Sequence, residues 1–212
     1  MLEVIFQNMC PDLPYNRKRE LQSRLNRFFE EEFDLPKKDY AGSLGLSSLL
    51  NLKSALSDVN NTITLKLALG LVEWASEQFK LDDATTAQLH RSVLEAKPNS
   101  NGFDVWLGYP VAFVAEVKCN IPVNGGNKYG ARQRQGIVAD INALLTGKRK
   151  ASMMTSGIPK IMAFLDLPEI RAANEHLLKT DLSLFNKLVF LLPGQAPTSS
   201  DHVHGVYVNI EA

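Results

Sequence analysis

The chain has 212 residues, 45% of them hydrophobic, and its 23 Lys and Arg balance 23 Asp and Glu to a net charge of zero. That length suits one domain with a sizeable core, and the neutral balance argues against nucleic-acid binding by bulk charge, leaving the distribution of charge to decide. The only cysteines, Cys10 and Cys119, exclude a disulfide framework, and no apolar run reaches the roughly 18 residues of a membrane span. With no signal-peptide pattern either, the expectation is a protein of the reducing cytoplasm without a membrane partner.

In chain order, residues 1–7 read either as a strand or, apart from Ile5 and the following Asn8, as the recognition sequence of a tag-removing viral protease. They carry no functional weight. Within 16–33, Leu21, Leu25, Phe28 and Phe29 stand at helical spacing. The basic cluster Arg17, Lys18, Arg19, Arg24 and Arg27, offset by Glu30, Glu31, Glu32 and Asp34, reads as a solvated face. A second apolar pattern occupies 44–56. Residues 62–80 predict a long, largely buried helix whose polar stripe holds Lys66, Gly70, Glu73 and Glu77. A further helix is expected over 84–96, and 98–102 reads as a loop. The first hundred residues are thus expected to be a mainly helical region packed on an α/β core at 101–212, the whole forming a single domain without internal repeats.

Residues 103–118 carry the most chemistry. Two short apolar runs flank Gly108-Tyr109-Pro110, which predicts a β-hairpin or two adjacent strands. Glu116 and Lys118 are two apart and share a strand face with the apolar Ala112 and Val114. Ionisable groups there cost free energy unless they are paired or hold an ion. With Asp104 on the neighbouring strand, its carboxylate can meet Glu116 and form a site for a hard divalent cation, with Lys118 beside it.

The loop 119–130 leads into an amphipathic helix with apolar residues at 137, 138, 141, 144 and 145, ended by Gly147. Beyond it, 160–167 reads as a buried strand and 168–179 as a helix with Pro168 in its first turn and Glu169 near its positive end. Residues 187–192 read as a second interior strand, and 206–210 as the last. Strands alternating with helices predict an α/β layer with a mixed sheet. Asp201-His202-Val203-His204 could set two imidazoles on one strand face as metal ligands, or leave them unliganded in a polar loop. Gly-x-Ser-x-Gly, His-Glu-x-x-His and a Lys-Ser/Thr phosphate loop are absent, which removes serine hydrolase, zincin and P-loop readings.

Asp104, eleven intervening residues, and then Glu116-Val117-Lys118 resemble the catalytic signature of the PD-(D/E)xK nuclease superfamily, with Phe103 where the motif's proline would stand. Gln133-x-x-x-Ile137 fits the glutamine element that many members carry on the helix after that strand. The resemblance implies a restriction endonuclease-like three-layer core running helix, three strands, helix, strand. It implies a Mg²⁺-dependent (or Mn²⁺-dependent) endonuclease acting on DNA, with a restriction endonuclease as one form, since those enzymes are commonly of this size and usually act as symmetric homodimers. Asp104, Glu116 and the Val117 carbonyl would hold the metal, with Glu73, or else Glu77 or Glu95, completing the site. Lys118 and Gln133 would be catalytic. Lys128, Arg132, Arg134, Lys148, Arg149 and Lys150, set against the single acid Asp140, would contact phosphates. The alternatives are a non-catalytic nucleic-acid- or protein-binding module that retains the fold, and an unrelated α/β interaction protein.

Overall fold

The computed structural model describes residues 15–97, 102–123, 126–148, 155–198 and 201–210. The strand expected at residues 1–7 lies outside these, as does Cys10. The chain divides into two compact units, Met1–Leu56 and Ser57–Ala212.

The first unit holds α1 (Arg17–Glu32), α2 (Tyr40–Ser43) and the start of α3 (Leu46–Phe79). Asn16 caps α1, accepting from the Arg19 N–H at 3.0 Å and so satisfying one of the donors that a helix start leaves open. Asn26 ties α1 to α2, donating to Asp39 Oδ1 at 3.1 Å and accepting from the Ala41 N–H at 2.7 Å. Phe28, Phe29, Phe33 and Tyr40 form a small aromatic cluster with centroids 5.7–6.2 Å apart. The apolar pattern at 44–56 is not a separate helix. From Leu46 on it is the beginning of α3, which runs unbroken for 34 residues because Ser-Asp-Val-Asn-Asn at 57–61 contains neither Gly nor Pro to stop it.

The second unit continues with α4 (Asp83–Glu95), β1 (Val105–Leu107), β2 (Phe113–Lys118), α5 (Ala131–Thr146), β3 (Lys160–Leu165), α6 (Pro168–Thr180), a 3-10 turn at Leu182–Leu184, β4 (Leu188–Phe190) and β5 (Val203–Val208). The strands form one mixed sheet in the order β1-β2-β3-β5-β4. β1 and β2 make the antiparallel hairpin expected across Gly-Tyr-Pro, and every other pairing is parallel. β2 and β3 are buried almost throughout, which is why they read as continuous apolar runs.

Strand parity assigns the two faces. Phe113 stacks on Phe79 of α3 at 5.1 Å, and Cys119, of the same parity, brings Sγ to 3.2 Å from Thr64 Oγ1 on that helix. Gly70 also faces the sheet: a Cβ there would come within 2.8 Å of Val208 Cγ1, so its place in the expected polar stripe is corrected to a close helix–sheet approach. Glu116 and Lys118 have the opposite parity and meet α5, which buries Ile137, Ile141 and Leu144. α6 covers the same side through Ile170, Ala173 and Leu177, and its Asn174 donates to the Tyr207 hydroxyl of β5 at 3.3 Å.

Three expectations are revised. Among the described residues two strands, not three, precede α5. The strand expected to be interior at 187–192 is the three-residue edge strand β4, paired only with β5. The last strand begins at Val203 and not at Val206. Among the described residues no helix is long and apolar enough to cross a membrane.

Candidate active site

β1 lies on β2 in the register Val105↔Ala115 and Trp106↔Val114, and one further step sets Asp104 opposite Glu116. The Val117 N–H donates to Asp104 Oδ2 at 2.9 Å, which fixes that carboxylate beside the second strand. Asp104 is exposed, whereas Glu116 is 5% exposed at the end of a buried run. Burial, and after it the charge of Asp104, push the Glu116 carboxyl up to about 7; Asp140 adds to the effect and Lys148 opposes it.

Both lysines of the site are already engaged. Lys118 forms an ion pair with Asp140, which α5 carries beside its buried Ile137, Ile141 and Leu144. Gly147 ends α5 at φ 85°, its N–H bonded to Ala143 O, and turns the chain so that Lys148 points back over the sheet. Lys148 Nζ lies 2.5 Å from Glu116 Oε1, donates to Gly102 O at 2.6 Å, and stands 5.2 Å from the centre of the Phe103 ring. The expectation of Lys148 on a phosphate-facing surface is therefore corrected: its ammonium is turned inward to a buried carboxylate.

Gln133 was expected beside Lys118, a water or a phosphate. Its contacts belong instead to the loop between β2 and α5. Oε1 accepts from the Gly130 N–H at 2.9 Å, and Nε2 donates to Ile121 O at 2.7 Å. The buried Tyr129 anchors the same loop, its hydroxyl donating to Asn174 Oδ1 at 3.0 Å.

Glu73 is not brought to Asp104 and Glu116. It faces α4, with Oε1 2.6 Å from His90 Nε2, and lines a different pocket with Asp83 and Arg91. Glu77 and Glu95 are exposed. The α3 residues that share a pocket of about 530 Å³ with Asp104 and Lys148 are Asn61, Thr62, Thr64, Leu65 and Ala68. The helix thus offers amide and hydroxyl groups there and no carboxylate. Lys128, Arg132 and Arg134 are exposed at the entry to α5, and Arg149 and Lys150 lie outside the described residues. His202 and His204 pack ring edge to face at 4.7 Å, with His204 Nε2 at 2.8 Å from Thr198 O.

Among the described residues no three His, Cys, Asp or Glu side chains form a group able to hold a metal. Asp104 and Glu116 remain as two hard oxygen donors, which fits Mg²⁺, an ion commonly held by one or two carboxylates with water and phosphate oxygens for the rest. Burial raises Glu116 most and the charge of Asp104 adds to it, and a cation between the two carboxylates would relieve that second part. Asp140 is the residue that sequence reasoning passed over. Its signal was a lone acid in a basic stretch, one position from the buried Ile141 on the helix that follows the cationic strand end.

Comparison of the chain with family models, curated proteins and solved structures finds no match.

Proposed function

We propose that this protein is a divalent-cation-dependent phosphodiesterase that cleaves DNA, built on a restriction endonuclease-like version of the α/β fold. The observation that carries the reading is the β1–β2 register, which sets Asp104 across from Glu116 with Lys118 two residues along the same face. A bound Mg²⁺ or Mn²⁺ would stabilise charge on the scissile phosphate and lower the pKa of a coordinated water. Asp104 and Glu116 would hold the ion, and the Val117 N–H fixes the Asp104 carboxylate beside the strand that carries Glu116. Lys118 orients the attacking water and stabilises charge developing on the phosphate, while Asp140 holds its ammonium in place. The exposed Lys128, Arg132 and Arg134 contact the DNA backbone and make binding salt-dependent. In the restriction-enzyme form of this reading the working unit is a symmetric homodimer on a palindromic site.

One observation favours a second reading, a non-catalytic DNA-binding module of the same fold: both lysines of the site are neutralised by carboxylates. Cleavage of supercoiled plasmid with Mg²⁺ or Mn²⁺ separates the two. The wild type should nick or linearise the plasmid, and Lys118→Ala should do so about 10²–10³-fold more slowly while still binding DNA. Equal cleavage by both would remove Lys118 from the chemistry. DNA binding without cleavage by either would favour the binding module.

A further inference from the structure

The Lys148 ammonium has the surroundings of a bound cation. A buried carboxylate oxygen lies at 2.5 Å, a backbone carbonyl at 2.6 Å and an aromatic ring centre at 5.2 Å. The carbonyl belongs to Gly102 and the ring to Phe103, the two residues leading to Asp104. Lys148 and Asp104 also line the same pocket. The side chain reaches this place because it follows the positive-φ Gly147 at the C-terminal end of α5, where the helix dipole favours a positive charge.

The geometry points to Lys148 as a built-in competitor of the divalent cation: its ammonium holds the cation position at Glu116, and a metal ion enters only as Lys148 leaves. This inference rests on the reading of Asp104 and Glu116 as metal ligands. The ammonium sits on Glu116 Oε1 and repels a cation arriving at the same carboxylate, so binding of the ion and retention of the lysine oppose one another. The wild-type site is accordingly tuned to weak metal affinity, and occupancy follows the divalent-ion concentration. Lys148 acts through Glu116 as a positioning residue.

The test is calorimetric titration of the full chain with Mg²⁺ at a series of pH values, because Lys148 lowers the Glu116 carboxyl and its loss favours the protonated form; affinities are compared where they no longer change with pH. Lys148→Met keeps the length of the side chain and removes its charge, and Lys148→Gln retains a donor for Gly102 O. Both should bind Mg²⁺ about 5–150-fold more tightly than the wild type, the range of a typical coupling between two sites. Lys148→Arg should bind like the wild type. Lysine-ammonium NMR adds a direct readout, since the Lys148 signal in the wild type should shift on addition of Mg²⁺. Equal affinities in the wild type and both neutral variants would overturn the competition and leave the two-carboxylate site standing. Weaker binding by the neutral variants would show that Lys148 supports the metal and would also overturn it. No binding by any protein, with the wild type folded, would sink the metal reading and this inference with it.

Discussion

Glu116 is held between the carboxylate of Asp104 and the ammonium of Lys148, and burial outweighs the lysine in setting its titration. Its folded value, about 7, lies above the ordinary 4.5, so the folded chain binds this proton more tightly than the unfolded chain does. The resulting stabilisation is complete below about 4.5 and is lost as pH rises through about 7. Its size is at most on the order of 3 kcal/mol. Glu116→Gln removes the titration, so in chelator the stability of the wild type relative to the variant should fall across that window. Denaturant unfolding at a series of pH values measures the difference, and a flat difference would place Glu116 at an ordinary carboxylate value. Above pH 7, added Mg²⁺ should raise the melting temperature of the wild type by mass action and leave Glu116→Gln unmoved.

At the scale of elements, α5 organises the site through both of its ends. Its N-terminus is joined to the loop by Gln133, and its C-terminus delivers Lys148 through Gly147. Gln133→Leu loses the bonds to Gly130 and Ile121 and should cost about 1–2 kcal/mol, with faster exchange of the Gly130 amide. If instead cleavage falls with stability and exchange unchanged, Gln133 works in the chemistry and not in the loop. Much of this element was legible in the chain. Apolar residues at helical spacing and a following glycine give α5, and the Gly-Tyr-Pro break with two apolar runs gives β1 and β2. What could not be read was spatial order. Chain order does not say that β5 inserts between β3 and β4, so the edge position of β4 was hidden. The engagement of Lys118 with Asp140 and of Lys148 with Glu116 depends on how α5 lies over β2, a packing outcome that no single segment encodes. The Glu73 expectation failed for a related reason. Helical periodicity gave its polar face, but α4 rather than the strand ends came to lie against it.

On the scale of the whole molecule, the core belongs to one unit. Every buried core residue, from Leu67 to Val208, falls in Ser57–Ala212, and no described residue of Met1–Leu56 is buried. The first unit is held by caps, the Asn26 bonds and a part-exposed aromatic cluster, each contributing about 1 kcal/mol. The second buries whole strands. Local opening free energy follows buried apolar contact, so amide exchange should separate the two units. Amides of α1 and α2 should exchange by local opening, orders of magnitude faster than those of β2, β3 and β5, which exchange only when the core unfolds. Leu71→Ala supplies the decisive comparison. Leu71 is fully buried on α3, and its truncation should cost about 2–5 kcal/mol. Exchange in β2, β3 and β5 should then accelerate by the factor matching that loss, while α1 amides keep their wild-type rates. If α1 accelerates in step with β3, the two units unfold as one, and the stability of the N-terminal helices comes from the core and not from their own caps and aromatic cluster.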